Sequence, residues 1–206
     1  MNKRFPILVG IVLILVGAMA LARSIAPLLG LNVWRWGAWR LWPLIVVGTG
    51  LLFIAPPLLA RGKRGLGGLF IPGVPVLVTG GILLFASLFN AWGAWSWLWP
   101  LEVLAVAAGF LSAAIYMRNI WLLIPAMTVG ASGLLFQFCA ITGWWGVWAV
   151  LWTVEPLAVG LALLAVNVKQ RSEGLLIAGV SACALAGVGL VESLVILFLS
   201  TVFSAW

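Results

Sequence analysis

WGAWRLWPL, at residues 36–44, is the first of three tryptophan-rich phrases that decide the fold of this chain. It returns as WGAWSWLWPL at residues 92–101 and, stretched, as WGVWAVLWTVEPL at residues 145–157. The prolines of the three phrases, Pro43, Pro100 and Pro156, follow one another at nearly equal intervals. Each interval corresponds to two membrane crossings and a connector. The sequence therefore predicts a tandem array of transmembrane helical hairpins.

The composition points to the same class of protein. Charged residues make up 7% of the 206-residue chain and hydrophobic residues 65%, whereas a soluble domain carries about a quarter charged residues. Several uncharged apolar runs reach about 18 residues, enough to cross roughly 30 Å of hydrocarbon, and they lack the alternation of a barrel strand. We predict an all-α integral membrane protein that forms a single polytopic membrane domain over residues 1–206.

The hairpins predict about seven transmembrane helices, as three full repeats and a truncated fourth. The approximate repeat boundaries are residues 1–64, 65–118, 119–171 and 172–206. All repeats share one orientation. The final stretch aligns with the third repeat, Leu175 with Leu122, and predicts a lone helix that runs on into a connector-like tail around Glu192. The alternative is a turn over residues 189–193, after which residues 194–206 dip back into the membrane.

The basic residues predict how the chain is oriented, because lysine and arginine are enriched in cytoplasmic loops. Eight lie on one side of the predicted membrane and three on the other. Residues 1–22 resemble a secretory signal, but we interpret them as an uncleaved anchor because they form the first helix of the first repeat. The charge bias thus predicts that the N-terminus is cytoplasmic and that the tryptophan connectors and the C-terminus lie outside.

The connector tryptophans have two interpretations. Indole combines an apolar body with one N–H donor, which favours an aromatic belt that contacts membrane lipids at the headgroup level. The alternative is a surface of stacked indoles for lipid, quinone or pigment, although the chain has no histidine to ligate haem or chlorophyll. No cofactor is predicted. The tryptophans concerned are Trp36, Trp39, Trp42, Trp92, Trp95, Trp99, Trp145, Trp148 and Trp152.

Few side chains could support chemistry. The chain has four acidic residues, all glutamates, and lacks a nucleophile–base pair, metal-ligand spacing and a phosphate loop, so we predict no enzyme. Glu102 lies at a helix N-terminus, where the dipole favours a carboxylate. Too few residues follow Pro156 to cross the membrane, so its helix must start near Val147, with Pro156 as an internal kink and Glu155 below the surface. An intramembrane carboxylate is a functional-site hypothesis by default.

Small residues recur every four positions on two predicted helices. Such faces let helix backbones approach closely in lipid. We predict that they pack the protein's own helices, and contact within a homo-oligomer is the alternative. Cys139 and Cys183 are interpreted as small packing residues. The recurring small residues are Ala105, Gly109 and Ala113 on one helix and Gly179, Cys183 and Gly187 on the other.

LWPLIVVGTGLL at residues 41–52, preceded by the glycine-rich VGIVLILVG at residues 9–17, resembles the LiaI/LiaF-type transmembrane hairpin of bacterial cell-envelope stress proteins. WPL at residues 99–101 with Gly109, and more weakly PL at residues 156–157 with Gly160, resemble the same motif. The resemblance implies a protein without catalytic residues that acts through partners, notably sensor kinases, although the soluble C-terminal domain of some members has no counterpart here. The two-helix period is also similar to the HdeD-type acid-resistance membrane proteins.

These observations lead to three functional hypotheses. The first, which follows the resemblance, is a non-catalytic sensor-regulator or scaffold of the bacterial inner membrane. It would act on a membrane protein partner through helix packing and its tryptophan-rich outer surface. The second is an accessory subunit of a larger membrane complex that binds lipid or cofactor. The third is a small transporter or channel that uses Glu155. Nucleic acid is excluded as a partner, because the basic residues lie at helix ends and no polar surface forms a groove.

Overall fold

The computed structural model describes residues 38–60 and 63–204, together with Gly17. The chain divides into two compact units, Met1–Leu41 and Trp42–Trp206. Of the first predicted transmembrane helix, residues 5–22, only Gly17 is described, and it is helical. The packing that follows is therefore that of the second unit.

Six long helices make up most of the described part of the second unit, which contains no strand. They are α1 (Leu44–Leu59), α2 (Phe70–Phe89), α3 (Pro100–Met117), α4 (Leu123–Thr142), α5 (Val154–Gln170) and α6 (Glu173–Ser204). The connections contain 3-10 helices at Arg64–Leu69, Trp92–Ala94, Ile120–Leu122 and Trp145–Val147, and single α-helical turns at Trp95–Leu98 and Trp148–Leu151. A further 3-10 helix, Ala38–Leu41, lies in the first unit.

Five of the described helical segments are long and apolar enough to cross a membrane. They are Trp39–Leu59, Arg64–Phe89, Pro100–Met117, Ile120–Thr142 and Glu173–Val202. The pair Trp145–Leu151 and Val154–Gln170, bent by 47° at its break, gives a sixth if it is a single span. These segments indicate a multi-pass helical membrane protein. The seventh predicted span, residues 5–22, lies outside the described residues.

The long helices pack in series. Each of α2 to α5 makes its main contacts with the helix before it and the helix after it, and α6 makes its main contacts with α5. The contacts are most extensive within α1–α2, α3–α4 and α5–α6, and weaker between α2 and α3 and between α4 and α5. The second unit is thus a row of helix pairs, so much of each apolar helix surface faces outward.

Small residues set the close approach within each of these three pairs. A Cβ added at Gly50 of α1 would lie 2.6 Å from the backbone nitrogen of Leu77 in α2. One added at Gly160 of α5 would lie 2.5 Å from Cys183 Sγ in α6. Between α3 and α4, a Cβ added at Gly133 of α4 would lie 2.8 Å from Leu104 Cδ2 and 3.1 Å from the Leu104 backbone nitrogen. Of the predicted small-residue face on α6, Gly179 and Cys183 thus pack against α5, whereas Gly187 is exposed.

Residues in the left-handed backbone conformation terminate four of the long helices. Asn90 (φ 52°) follows α2, and Gly143 (φ 73°) follows α4 at the matching position of the next hairpin. Arg118 (φ 54°) follows α3, and Arg171 (φ 51°) follows α5 with the same separation. In each case the backbone N–H of the left-handed residue returns to a carbonyl of the last helical turn. Gly and Asn enter this region at the lowest steric cost.

The last helix differs from both sequence interpretations. α6 is continuous from Glu173 to Ser204, so neither the turn predicted at residues 189–193 nor a connector-like tail is present. The physical reason lies at Ile196, which follows Gly143 by the same interval that separates Gly143 from Asn90. A β-branched residue is strongly disfavoured in the left-handed region, so the helix has no stop where α2 and α4 end.

The helix before Pro156 is bent, but the position of the bend was predicted wrongly. The break lies at Trp152–Thr153, and Pro156 falls in the first turn of α5 rather than inside a helix. A proline ring clashes with the carbonyl of the residue four positions earlier, which here is Trp152. The proline therefore bends the chain one turn upstream of itself.

Candidate functional site

The three tryptophan phrases fold in a similar local pattern. Each forms a short helical turn, breaks for one or two residues at or near a tryptophan, and enters a long helix, α1, α3 or α5. Pro43 caps α1 and Pro100 is its counterpart at the first position of α3, where no intrahelical N–H bond is lost. Both prolines are fully buried. The connectors are therefore ordered structures that fix how each of these helices starts.

An aromatic cluster, formed by Trp99, Phe136, Trp145 and Trp148, joins the second and third connectors. Trp99 stacks on Trp145 with ring centroids 6.4 Å apart and planes 10° apart. Phe136 of α4 lies 5.4 Å from Trp99 and stacks on Trp148 at 5.4 Å. Aromatic pairs in this distance range are attractive beyond the area they bury. Three of the predicted site residues are thus brought together, with Phe136 as a member that the sequence did not reveal.

Trp152 connects the third phrase to α6. Its Nε1–H donates to Ser193 Oγ at 3.2 Å, and Ser193 is buried. Its ring also lies against Gly189, where an added Cβ would be 2.7 Å from the Trp152 ring carbon Cη2. This tryptophan therefore has a packing role, and it fixes Ser193 at the level of the third connector.

The remaining predicted tryptophans are spread over the connectors. Trp42 is half-buried, and Trp36 lies outside the described residues. Trp39, Trp92 and Trp95 are exposed at 54%, 48% and 37%. Trp97 and Trp144, which were not in the predicted set, are also exposed, so each of the later connectors presents indole surface outward.

Glu102 is the more enclosed of the two candidate carboxylates. It lies in the first turn of α3, and its Oε1 is buried without a hydrogen-bond partner among the described residues. Gln137 of α4 is similar: its Nε2–H donates to the Trp97 carbonyl oxygen at 2.9 Å, while its Oε1 is buried and has no described partner. Two unsatisfied acceptors therefore lie at the connector end of α3 and α4. A buried acceptor of this kind requires a donor or a positive charge, such as an ordered water, a proton or a cation.

Gln137 was missed by the sequence analysis. The available signal was a lone amide between Phe136 and Phe138 in an otherwise apolar helix, since a polar side chain within a transmembrane helix requires a partner.

Glu155 lies in the first turn of α5, which corresponds to the place of Glu102 in α3. It is half-buried, and its backbone N–H donates to the Trp152 carbonyl at 3.1 Å. Glu102 and Glu155 thus lie at matching ends of α3 and α5, the two helices that pack on α4. In the described residues, no group of three or more His, Cys, Asp or Glu side chains could hold a metal ion.

The chain was also compared with known proteins. No family model, no curated protein and no solved structure matches it.

Proposed function

We propose that this chain is a bacterial inner-membrane protein built from tandem two-helix repeats, with its tryptophan connectors outside. Support for the repeats comes from helix bounds: α2 (Phe70–Phe89) and α4 (Leu123–Thr142) have equal lengths, and their starts and ends are separated by the same interval. The 3-10 helices and single turns of the second and third connectors keep that interval. Support for the orientation comes from the excess of basic residues on the loops opposite the connectors.

Within this arrangement, the protein acts as a non-catalytic scaffold or sensor-regulator for another membrane protein. The observation that carries the proposal is the aromatic cluster, which unites two connectors into one ordered surface while leaving Trp92, Trp97 and Trp144 exposed. Exposed aromatic side chains held on a rigid support are typical of binding surfaces. The resemblance of the first phrase to envelope-stress proteins that work through partners agrees with this function.

Site-specific photo-crosslinking in native membranes tests the proposal. A photoreactive amino acid replaces Trp97, Trp144 or, as the control, Trp121, which is also exposed but lies at the opposite end of α4. We expect one discrete protein adduct from Trp97 and Trp144 and none from Trp121. The adduct should weaken several-fold when Trp99→Ala and Trp145→Ala open the aromatic cluster. Adducts of the same kind from all three positions, or from none, would refute a connector surface.

The buried oxygens of Glu102 and Gln137 favour a second candidate, a small transporter or channel. A carboxylate oxygen with no donor among the described residues, in a mostly apolar environment, can bind a proton or cation. The test is ion or proton flux in proteoliposomes with the wild type, Glu102→Gln and Glu155→Gln. A transport function requires flux above empty vesicles that falls at least tenfold in one of the variants. Equal flux in all three would remove this candidate.

A further inference from the structure

Tyr116 joins the ends of two helices that are not neighbours in the chain. It is the single tyrosine of the sequence and lies in the last turn of α3. Its hydroxyl donates to the Pro57 carbonyl oxygen of α1, and the carbonyl oxygen of Ala60 lies 3.4 Å away. Its ring meets Phe70, the first residue of α2, edge to face with centroids 5.6 Å apart. Tyr116 thus ties α1, α2 and α3 together at the end opposite the tryptophan connectors.

The 3-10 helix between α1 and α2 packs against the same end of α3. A Cβ added at its buried Gly67 would lie 2.5 Å from Met117 Cγ and 2.8 Å from Tyr116 Cδ1. A larger residue at this position would push the 3-10 helix away from α3. The two loops at this end of the helices therefore form one packed structure. We call it the loop platform, and it consists of residues 63–70 and 116–118.

The loop platform carries three cations and no acidic residue. Lys63, Arg64 and Arg118 are exposed, and their side chains form no hydrogen bond or ion pair within the part of the chain that the structure describes. Arg64 precedes Gly67 by three residues, and Arg118 immediately follows the methionine that Gly67 contacts. The first acidic residue of the chain, Glu102, lies at the opposite end of α3. These two loops therefore supply no counter-charge of their own.

The level of the platform in the membrane favours a lipid as the source of that counter-charge. The cations lie at the boundaries of the apolar segments Trp39–Leu59, Arg64–Phe89 and Pro100–Met117, where long basic side chains reach the headgroups. Leu59 and Ile115, near the ends of α1 and α3, are exposed at 83% and 71%. Apolar surface for acyl chains thus lies next to the cations. A soluble anion would match the charges alone, whereas a phospholipid matches both features.

We propose that the loop platform binds the headgroup of an anionic phospholipid. Arg64 and Arg118 suit the phosphate, because a guanidinium donates two parallel N–H bonds to phosphate oxygens, and Lys63 adds a point charge. Packing of the two loops brings cations from separate parts of the chain to one end of α3, which a single flexible loop would not do. The inference requires only that these helices span a membrane, so it holds for either side of the bilayer.

The turn between α5 and α6 offers a matched comparison. Arg171 has nearly the same backbone conformation as Arg118, with φ 51° against 54°, and both side chains are exposed. The turn is only two residues long, and Glu173 follows it at the start of α6. Because this acidic residue lies two positions after Arg171, the turn carries part of its own counter-charge. We therefore expect it to attract anionic lipid less strongly than the platform.

Thermal unfolding of the delipidated full-length protein in a neutral detergent tests the proposal. Wild type and variants are titrated with phosphatidylglycerol, phosphatidylcholine or inorganic phosphate, and the rise in unfolding temperature gives the apparent affinity. We expect phosphatidylglycerol alone to stabilise the wild type. Arg118→Gln should weaken that affinity about fivefold, the effect of one lost charge near an anionic surface. Arg171→Gln, the same change in the matched turn, should weaken it less than about twofold.

Three results would overturn the proposal. An equal response to phosphatidylcholine would show that the negative charge of the lipid is not recognised. An equal response to inorganic phosphate would identify a soluble anion as the ligand. Equal losses from Arg118→Gln and Arg171→Gln would show that any basic helix end acts in the same way. None of these results bears on the connector crosslinks, since the platform lies at the other end of the helices.

Tyr116→Phe separates a packed site from diffuse surface charge. The variant keeps all three cations but lacks the hydroxyl that bonds to α1. Ser96→Ala, which removes a hydroxyl bond at the connector end, is the control. Native mass spectrometry measures phosphatidylglycerol binding at a temperature at which all variants are folded. We expect binding to weaken several-fold in Tyr116→Phe and to stay at the wild-type level in Ser96→Ala. Wild-type binding by Tyr116→Phe would refute a site that depends on the packed loops.

Discussion

α2 and α6 carry similar residues at matching positions, such as Gly81 and Gly187 or Ile82 and Val188, but they differ in their neighbours and in where they end. α2 packs between α1 and α3 and ends at Asn90 in the left-handed region. α6 packs on α5 and continues through Ile196 to Ser204. Because the residues at these positions are similar, we attribute the difference in helix length to the terminating residue. The difference in exposure follows from the element that comes next in the chain. The length of each of these helices is therefore set by a local residue, whereas the burial of its surface depends on the helices that pack against it.

The largest expected effect concerns two adjacent glycines of α2. A Cβ at Gly80 would lie 2.7 Å from the Val47 backbone nitrogen, whereas one at Gly81 meets nothing within 4 Å. Gly80→Leu forces α1 and α2 apart, and we expect it to lower the free energy of unfolding by about 3 kcal/mol or more. Gly81→Leu is the matched control and should stay within about 1 kcal/mol of wild type. Tryptophan fluorescence during denaturation in detergent measures the stability of both variants. Equal losses of stability would contradict the close approach of α1 and α2 at Gly80.

Substitutions at Asn90 of α2 and at the matching Ile196 of α6 test whether a single residue determines where each helix ends. Asn90→Val places a β-branched residue at φ 52° and should destabilise the protein by about 1–2 kcal/mol. Ile196→Gly should instead allow α6 to end near residue 196, seen as loss of helical circular dichroism and as faster amide exchange in residues 197–204. If Ile196→Gly leaves exchange across those residues unchanged, the terminating residue does not set the length of α6.

The bond between Trp152 and Ser193 tests how firmly α6 is held by its one neighbour. Trp152→Phe removes the donor at 3.2 Å from Ser193 Oγ and should cost about 1 kcal/mol. Ser193→Ala should add little once Trp152 is replaced, because the two changes remove the same interaction. Unfolding of the two single variants and the double variant gives the coupling energy. Strict additivity would show that the bond does not contribute.

The smallest expected effect compares Glu102 and Glu155, the two glutamates in matching first turns. Glu102 Oε1 is buried without a described partner, so Glu102→Gln should stabilise the protein by up to about 1 kcal/mol, since the neutral amide is less costly to bury. Glu155→Gln should change stability less, because no such buried oxygen occurs there. Denaturation in the same detergent compares the free energies of unfolding of the two variants with that of the wild type. A Glu102→Gln variant that is less stable than wild type would indicate a bound cation or a missing donor.

Helix bounds set by apolar length were predictable from the sequence, whereas features that depend on the backbone conformation of one residue or on distant contacts were not. The apolar runs predict helices over about residues 69–89 and 120–141, and the observed bounds of α2 and α4 lie within three residues of these, because apolar length and the loops at Asn90 and Gly143 determine them. The continuous helix α6 was not predicted. The repeat alignment implied a connector-like tail around Glu192, whereas Ile196, being β-branched, does not readily adopt the left-handed conformation that ends α2 and α4. The aromatic cluster required knowledge that Phe136 of α4 lies between the two connectors. Gln137 was overlooked since its partner, the Trp97 carbonyl, is 40 residues away.

The serial packing has a consequence for biosynthesis. Each described helix after α1 finds its main partner in the helix made immediately before it or immediately after it. A nascent chain can therefore assemble in the order of its translation, without waiting for a distant segment to close a bundle, and contacts between sequence neighbours form quickly. Chains arrested shortly after Phe89 or Thr142 would already contain the complete pairs α1–α2 or α3–α4. Only the face of the last helix that packs on the following helix would still lack its partner.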